Sequence, residues 1–305
     1  MSRIHDALKR AEQERATSMG THVDPVFDQP ELRPELRNEP SRENVTQLHA
    51  PESMMQNVGG GFTYESLLAR CPQTEWRPDS RTMLFFQEDD SRTGAEEFRT
   101  LRSRLYQIRE KMPLKRLMIT SALPKEGKSF VAANLAQVLV RQHGRRALVI
   151  DADLRNPGMH RHLGAPQSPG LGEYLLGECD EFAALQRGPM ENLFFMPAGR
   201  NAGSAPELLA NGRLKMLLQR VEPLFDWIII DTSPVVPVSD ATIVAGACDG
   251  VLMVVRSNVT PSDLARKARE EFPEKLLLGV VLNGASPEKS SQSKYYYGEA
   301  VSSQA

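Results

Sequence analysis

The sequence predicts an α/β fold, doubly wound around a mostly parallel sheet. Three observations carry this expectation. From about residue 81 onward, short apolar runs alternate with helical stretches. The turn Gly127-Lys128-Ser129 falls between an apolar strand and a helix. Two other apolar runs end in aspartates, at Asp151 and Asp231, on the strand ends where such sheets bind ligands.

The elements follow in order. Thr93–Lys111 is charged and helical in pattern. Leu117–Thr120 reads as a strand, Lys128–Gln142 as a helix and Arg146–Ile150 as a strand. Leu193–Met196 is a strand, Ala205–Leu218 one helix and Trp227–Ile230 a strand. Val251–Val255, Pro261–Phe272 and Leu277–Leu282 complete the series as strand, helix and strand. Thr260 as N-cap, Pro261 at the first turn and Asp263 beside it mark a helix start. The folded domain is expected to span residues 81–286.

Outside that span the pattern changes. Residues 1–16 hold Ile4, Leu8 and Ala11 at helical spacing among charges, a short amphipathic helix. It can dock on a partner or a membrane surface, or fray alone, and both readings stay open. Residues 17–80 carry prolines at 25, 30, 34, 40, 51, 72 and 78 and the run Gly59-Gly60-Gly61, and are expected to be a disordered linker. Within it, Phe62–Leu68 gives a weak local signal. Residues 287–305 form a polar, flexible tail holding Tyr295, Tyr296 and Tyr297.

Composition excludes several classes. A net charge of −2 and a pI near 6.3 lack the basic footprint of a nucleic-acid binder. The three cysteines, Cys71, Cys179 and Cys248, are dispersed and fit a reducing cytoplasm. The charged N-terminus is no signal peptide, and no apolar run approaches the ~20 residues of a membrane span. Any membrane contact is expected to be indirect or through the N-terminal helix.

Ala122-Leu-Pro-Lys-Glu-Gly127-Lys128-Ser129 fits a phosphate-binding loop with Ala in place of the first Gly. Lys125, Glu126, Gly127, Lys128, Ser129 and Phe130 form the expected nucleotide-binding run. Backbone N–H groups and the helix N-terminus face the phosphates, and Lys128 supplies a full charge. The Ser129 hydroxyl can ligate Mg²⁺. Asp151-Ala-Asp153-Leu-Arg155 and Asp231-Thr-Ser-Pro234 add carboxylates that can hold the waters of that ion. ATP and Mg²⁺ are therefore the expected ligands. Arg155 can touch phosphates, bind a carboxylate or sit at a subunit surface. Arg256 can line the site or form a structural ion pair. His160 and His162 read as solvated, and Trp227 as packing.

These motifs resemble those of the bacterial protein-tyrosine kinases tied to capsule and exopolysaccharide production. Asp151-x-Asp153-x-Arg155 resembles their second Walker motif and Asp231-Thr-Ser-Pro234 their Walker B motif, with the match running from Glu96 to Asn283 and resuming at the tyrosine tail. The resemblance implies a P-loop fold and ATP-dependent autophosphorylation of Tyr295, Tyr296 and Tyr297 in trans. Lys128, Asp151, Asp153 and Asp231 would be catalytic, with Ser129, Asp151 and Asp231 at the metal and Asp151 as base. Asn283 matches the adenine-contact position. Glu96-x-x-Arg99-x-x-Arg102 matches a motif that joins subunits into a ring; without the resemblance it reads as intrahelical pairing. About a dozen residues separate Asn283 from Tyr295, enough extended chain to reach ~40 Å into a neighbouring subunit.

The chain is expected to resemble the split type, without the fused membrane domain of many members. The resemblance therefore implies a separate membrane activator of the polysaccharide chain-length type, with the kinase peripheral at the inner face of the plasma membrane. Two other readings share the motifs. One is a partition or division-site ATPase switch, but that group carries Lys where this chain has Leu123. The other is an ATP-binding scaffold without turnover.

Overall fold

The computed structural model describes residues 62–86, 93–200 and 203–285. The expected helix at 1–16, most of the expected linker and the tyrosine tail lie outside the described residues.

The strands are β1 (Arg116–Ser121), β2 (Ala147–Asp151), β3 (Gln186–Arg187), β4 (Leu193–Met196), β5 (Trp227–Asp231), β6 (Gly250–Arg256) and β7 (Leu277–Asn283). They form one sheet in the order β3-β4-β2-β5-β1-β6-β7. All neighbours are parallel except β3, which runs antiparallel to β4. This is the doubly wound sheet that the alternation of strands and helices implied.

Side-chain alternation makes two cores. Met118, Leu148, Ile150, Ile228 and Ile230 face one layer. Leu117, Ile119, Val149, Trp227 and Ile229 face the other. Continuous apolar strands such as Trp227-Ile-Ile-Ile230 arise because both faces are covered.

The helices are α1 (Tyr64–Arg70), α2 (Ala95–Arg109), α3 (Lys128–Val140), α4 (Met159–Leu163), α5 (Leu171–Leu176), α6 (Glu181–Ala184), α7 (Ala205–Ala210), α8 (Arg213–Val221), α9 (Asp240–Ala245) and α10 (Ser262–Glu270). The single helix expected over Ala205–Leu218 is two. Gly212, at φ +83°, breaks it in a conformation that other residues avoid. The N-cap of α10 is Pro261, not Thr260, because Pro261 at ψ 136° is still outside the helix; the Thr260 hydroxyl instead meets Glu126 of the phosphate loop.

The packed region also begins earlier than expected. Residues 62–80 are folded, not linker. Leu67, Cys71 and Trp76 are buried, and Gln73 bridges Arg187 on β3. Further along this strap, the N–H of Leu84 donates to Asn134 Oδ1 at 2.7 Å and that of Phe85 to Gln137 Oε1 at 3.2 Å. Buried amides of α3 thus satisfy the backbone of a segment that has no strand partner.

Candidate active site

The phosphate loop leaves β1 and closes on the N-terminus of α3. Its shape needs two left-handed residues, Lys125 at φ +67° and Gly127 at φ +97°. A Cβ on Gly127 would stand 2.1 Å from Asn283 Nδ2. That Asn283 amide donates to the Glu126 carbonyl at 2.8 Å. The buried Glu126 carboxylate accepts from Leu123 N at 2.8 Å and from the Thr260 hydroxyl. Arg256 Nη1 donates to the Lys125 carbonyl at 3.1 Å. The loop is therefore braced by the ends of β6 and β7. Arg256 thus braces the loop through a carbonyl contact and is not among the residues that line the cleft beside it.

Lys128 Nζ lies 2.8 Å from Asp153 Oδ2 and 3.6 Å from Asp231 Oδ2. Burial, the largest single influence, works against its charge, but Asp231 and Asp153 outweigh it and raise the pKa above the usual lysine value. Lys128 is a permanent cation. Ser129 Oγ donates to Asp231 Oδ2, while Asp231 Oδ1 is buried with no partner among the described residues.

Asp151 has no exposed surface. Its Oδ2 accepts from Gly158 N at 3.2 Å and Met159 N at 3.1 Å, and its Oδ1 from Asp153 N at 3.2 Å. Burial, then the Asp231 charge, pushes its pKa up to about 7. Burial likewise pushes Asp231 up to about 6, with Lys128 pulling the other way. A carboxyl that titrates near neutrality can exchange a proton at working pH.

A cleft of about 380 Å³ opens beside the loop. Lys125, Lys128, Ser129, Asp153 and Arg155 line it, as do Phe130 and His162. Asp151 and Asp231 are fully buried and are not among the lining residues. Asp153 also accepts from Ser233 Oγ at 2.9 Å. Arg155 is bidentate to the buried Asp240, so of its three expected roles the carboxylate contact is present. Sequence reasoning missed Ser233, Asp240 and the Glu126–Thr260 brace. An acid in the first turn of α9 was the only available signal for Asp240.

The remaining expected residues lie elsewhere or differ in setting. Glu96 and Arg99 form an i,i+3 pair on α2, and Arg102 Nη1 donates to the Val138 carbonyl at 3.0 Å. His160 and His162 are partly buried rather than solvated, and burial followed by Arg161 lowers both pKa values. No cluster of three or more His, Cys, Asp or Glu residues that could hold a metal occurs among the described residues. Trp227 is core packing, edge-on to Tyr106.

A parallel sheet, a left-handed glycine turn at a helix N-terminus and a buried lysine–aspartate cluster define a P-loop nucleotide-binding protein. No family model matches the chain. It is 35% identical over 205 residues to the tyrosine-protein kinase YwqD of Bacillus subtilis (strain 168), covering 67% of this chain and 86% of that protein. It is 36% identical over 196 residues to the succinoglycan biosynthesis transport protein ExoP of Rhizobium meliloti (strain 1021), covering 63% of this chain but 25% of that longer protein. The crystal structure of the chimerical protein CapA2B2 matches with a TM-score of 0.62 at 30% identity, covering 72% of this chain and 96% of that one. The chain belongs to the bacterial protein-tyrosine kinase family.

Proposed function

We propose that this chain transfers the γ-phosphoryl group of ATP to tyrosines 295–297 of its own tail, acting between subunits, in the service of exopolysaccharide or capsule synthesis or export. The observation that carries this reading is the Lys128 ammonium, held 2.8 Å from Asp153 at a cleft beside the phosphate loop. The name of the YwqD relative agrees with the activity, and that of ExoP with the pathway.

In this reading the backbone N–H groups of residues 125–130 and Lys128 Nζ hold the phosphates. A tyrosine phenol has a pKa of ~10 and attacks poorly until a base takes its proton. As the phenolic oxygen bonds to the γ-phosphorus, the bond to the β-phosphate oxygen breaks and ADP leaves. The proton passes to Asp151, with Asp153 assisting. Lys128 faces the charge that develops on the transferred group.

The site fits Mg²⁺. The Ser129 hydroxyl lies beside Asp231, and the unpartnered buried Asp231 Oδ1 is an acceptor that a metal-bound water would satisfy. Ser129 would be a direct ligand, and Asp231 and Asp151 would hold its waters. When bound, the ion would neutralise charge on the phosphates.

The same proposal assigns Glu96, Arg99 and Arg102 to a ring interface between subunits and Asn283 to the adenine side. It adds a membrane activator of the chain-length type as partner, with the kinase at the inner membrane face. No helix among the described residues is long and apolar enough to cross a membrane. A partition-type switch is disfavoured because Leu123 packs against the core where such a protein needs a lysine.

The test is incubation with Mg-ATP and a phosphotyrosine assay, with Lys128→Met and a triple Tyr→Phe tail beside the wild type. Phosphotyrosine lost in both variants supports the kinase. ATP hydrolysis without phosphotyrosine, in the presence of the membrane activator, overturns it in favour of the switch.

A further inference from the structure

Asp240, the first residue of α9, is 1% exposed, yet its partner Arg155 is 44% exposed on the wall of the cleft. Arg155 Nε donates to Asp240 Oδ2 at 2.6 Å and Nη2 to Oδ1 at 3.1 Å. This fork uses one side of the guanidinium and leaves Nη1 without a partner among the described residues. Lys128, Ser129 and Asp153 line the same cleft as Arg155.

A second line of contacts leaves Asp240. Ser233 Oγ lies 3.4 Å from Asp240 Oδ2 and donates to Asp153 Oδ1 at 2.9 Å. Asp153 in turn holds Lys128 Nζ. A buried carboxylate is costly unless paired. Here the fold pairs one with a cation at the mouth of the phosphate cleft and ties it to the lysine of the phosphate loop.

We propose that Arg155 contacts the phosphates of the bound nucleotide through Nη1, and that Asp240 is the positioning residue that holds it there. The proposal rests on the nucleotide reading of the cleft and not on the kinase reading. A planar fork clamped on one edge presents its other edge in a fixed direction, which lowers the ordering cost of the phosphate contact. Asp240 therefore acts through Arg155, and removing either loses the same contact.

The experiment is calorimetric titration of the full chain with Mg-ATP, comparing wild type, Arg155→Ala, Asp240→Asn and the double variant, with Tm recorded for each. Each single change is expected to weaken affinity about tenfold, or about 1.4 kcal/mol. The double variant is expected to be no weaker than the singles, a non-additivity that two independent structural losses would not produce. Arg155 is half exposed, so Arg155→Ala keeps the test decisive if Asp240→Asn fails to fold. Wild-type affinity in Arg155→Ala overturns the assignment, as does a roughly hundredfold loss in the double variant. A wild type that does not bind Mg-ATP overturns the nucleotide reading, and this assignment with it. Phosphotyrosine is not read, so failure of the kinase reading alone leaves the result intact.

Discussion

Asp151 and Asp231 are register partners at the C-terminal ends of β2 and β5, so two carboxylates lie side by side with no exposed surface. Burial raises both pKa values, to about 7 and about 6. Folding the apo protein therefore opposes their ionisation. Each contributes stability that is present below the unfolded carboxyl pKa and is lost as pH rises through the raised folded value.

A first prediction follows for Asp231→Asn. Without nucleotide, this variant is expected to melt about 2–4 °C above wild type at pH 8, the response of a domain this size to about 1 kcal/mol. The gap narrows toward pH 5 as the wild-type carboxyl of the folded state is protonated, and closes only below the unfolded carboxyl pKa of ~3.9. Phosphotransfer is lost despite the gain, the usual relation between stability and a strained site. Thermal unfolding at the two pH values checks it. An equal or lower Tm at pH 8 contradicts it.

Gly127→Ala tests the phosphate loop. The residue sits at φ +97°, and an added Cβ would collide with Asn283 Nδ2. Left-handed backbone costs a non-glycine residue about 1–2 kcal/mol. The variant is expected to lose Mg-ATP binding by at least tenfold. Gly127→Ala with Asn283→Ala clears the collision but keeps the backbone strain, so it recovers affinity only in part. Full recovery would show that the steric contact alone explains the loss.

Much of this centre was legible in the sequence, for a definite reason. Lys128, Asp151 and Asp231 each end a strand or begin a helix, so a parallel sheet brings them to one edge whatever lies between. Asp240 and Ser233 carry no such signal, because their roles depend on how the chain after β5 folds back over the cleft. The strap was misread because Pro72 and Pro78 lie in extended backbone that happens to pack. Composition marks such prolines as linker, while Leu67 and Trp76 reveal their partners only in three dimensions. Helices α4, α5, α6, α7 and α9 have six residues or fewer, too short for apolar periodicity to show.

Glu173 predicts a pH dependence of the opposite sign. It accepts from Arg200 N at 3.0 Å, Ser168 Oγ at 2.8 Å and Gly170 N at 3.0 Å, pinning two loops to α5. Burial alone would raise its pKa, but these donors outweigh it and bring the carboxyl down to about 2. With the folded pKa depressed, the stabilisation is present above the unfolded value of ~4.3 and is lost as pH falls toward 2. Glu173→Gln is expected to cost about 1–3 kcal/mol at pH 7. Denaturant unfolding at pH 7 and pH 3 checks this, since the difference from wild type must shrink at the lower pH.

The strap gives the last prediction. Trp76 is 5% exposed, packs edge-on against Phe195 at 6.0 Å, and lies where a Cβ on Gly188 would be only 2.2 Å from its ring. Trp76 Nε1 donates to Thr74 Oγ1 at 2.9 Å, so its polar end is satisfied as well. Trp76→Ala removes a large buried side chain from a fitted slot, and such changes cost about 3–5 kcal/mol. If residues 62–80 were linker, the same substitution would be silent. Urea unfolding decides between the two, because the midpoint falls with an unchanged slope only if the strap belongs to the cooperative unit. Truncation supplies the matching control. Compared with a chain beginning at residue 62, one beginning at 81 loses Leu67, Cys71 and Trp76 together and is expected to melt at least about 10 °C lower, at ~3 °C for each kcal/mol.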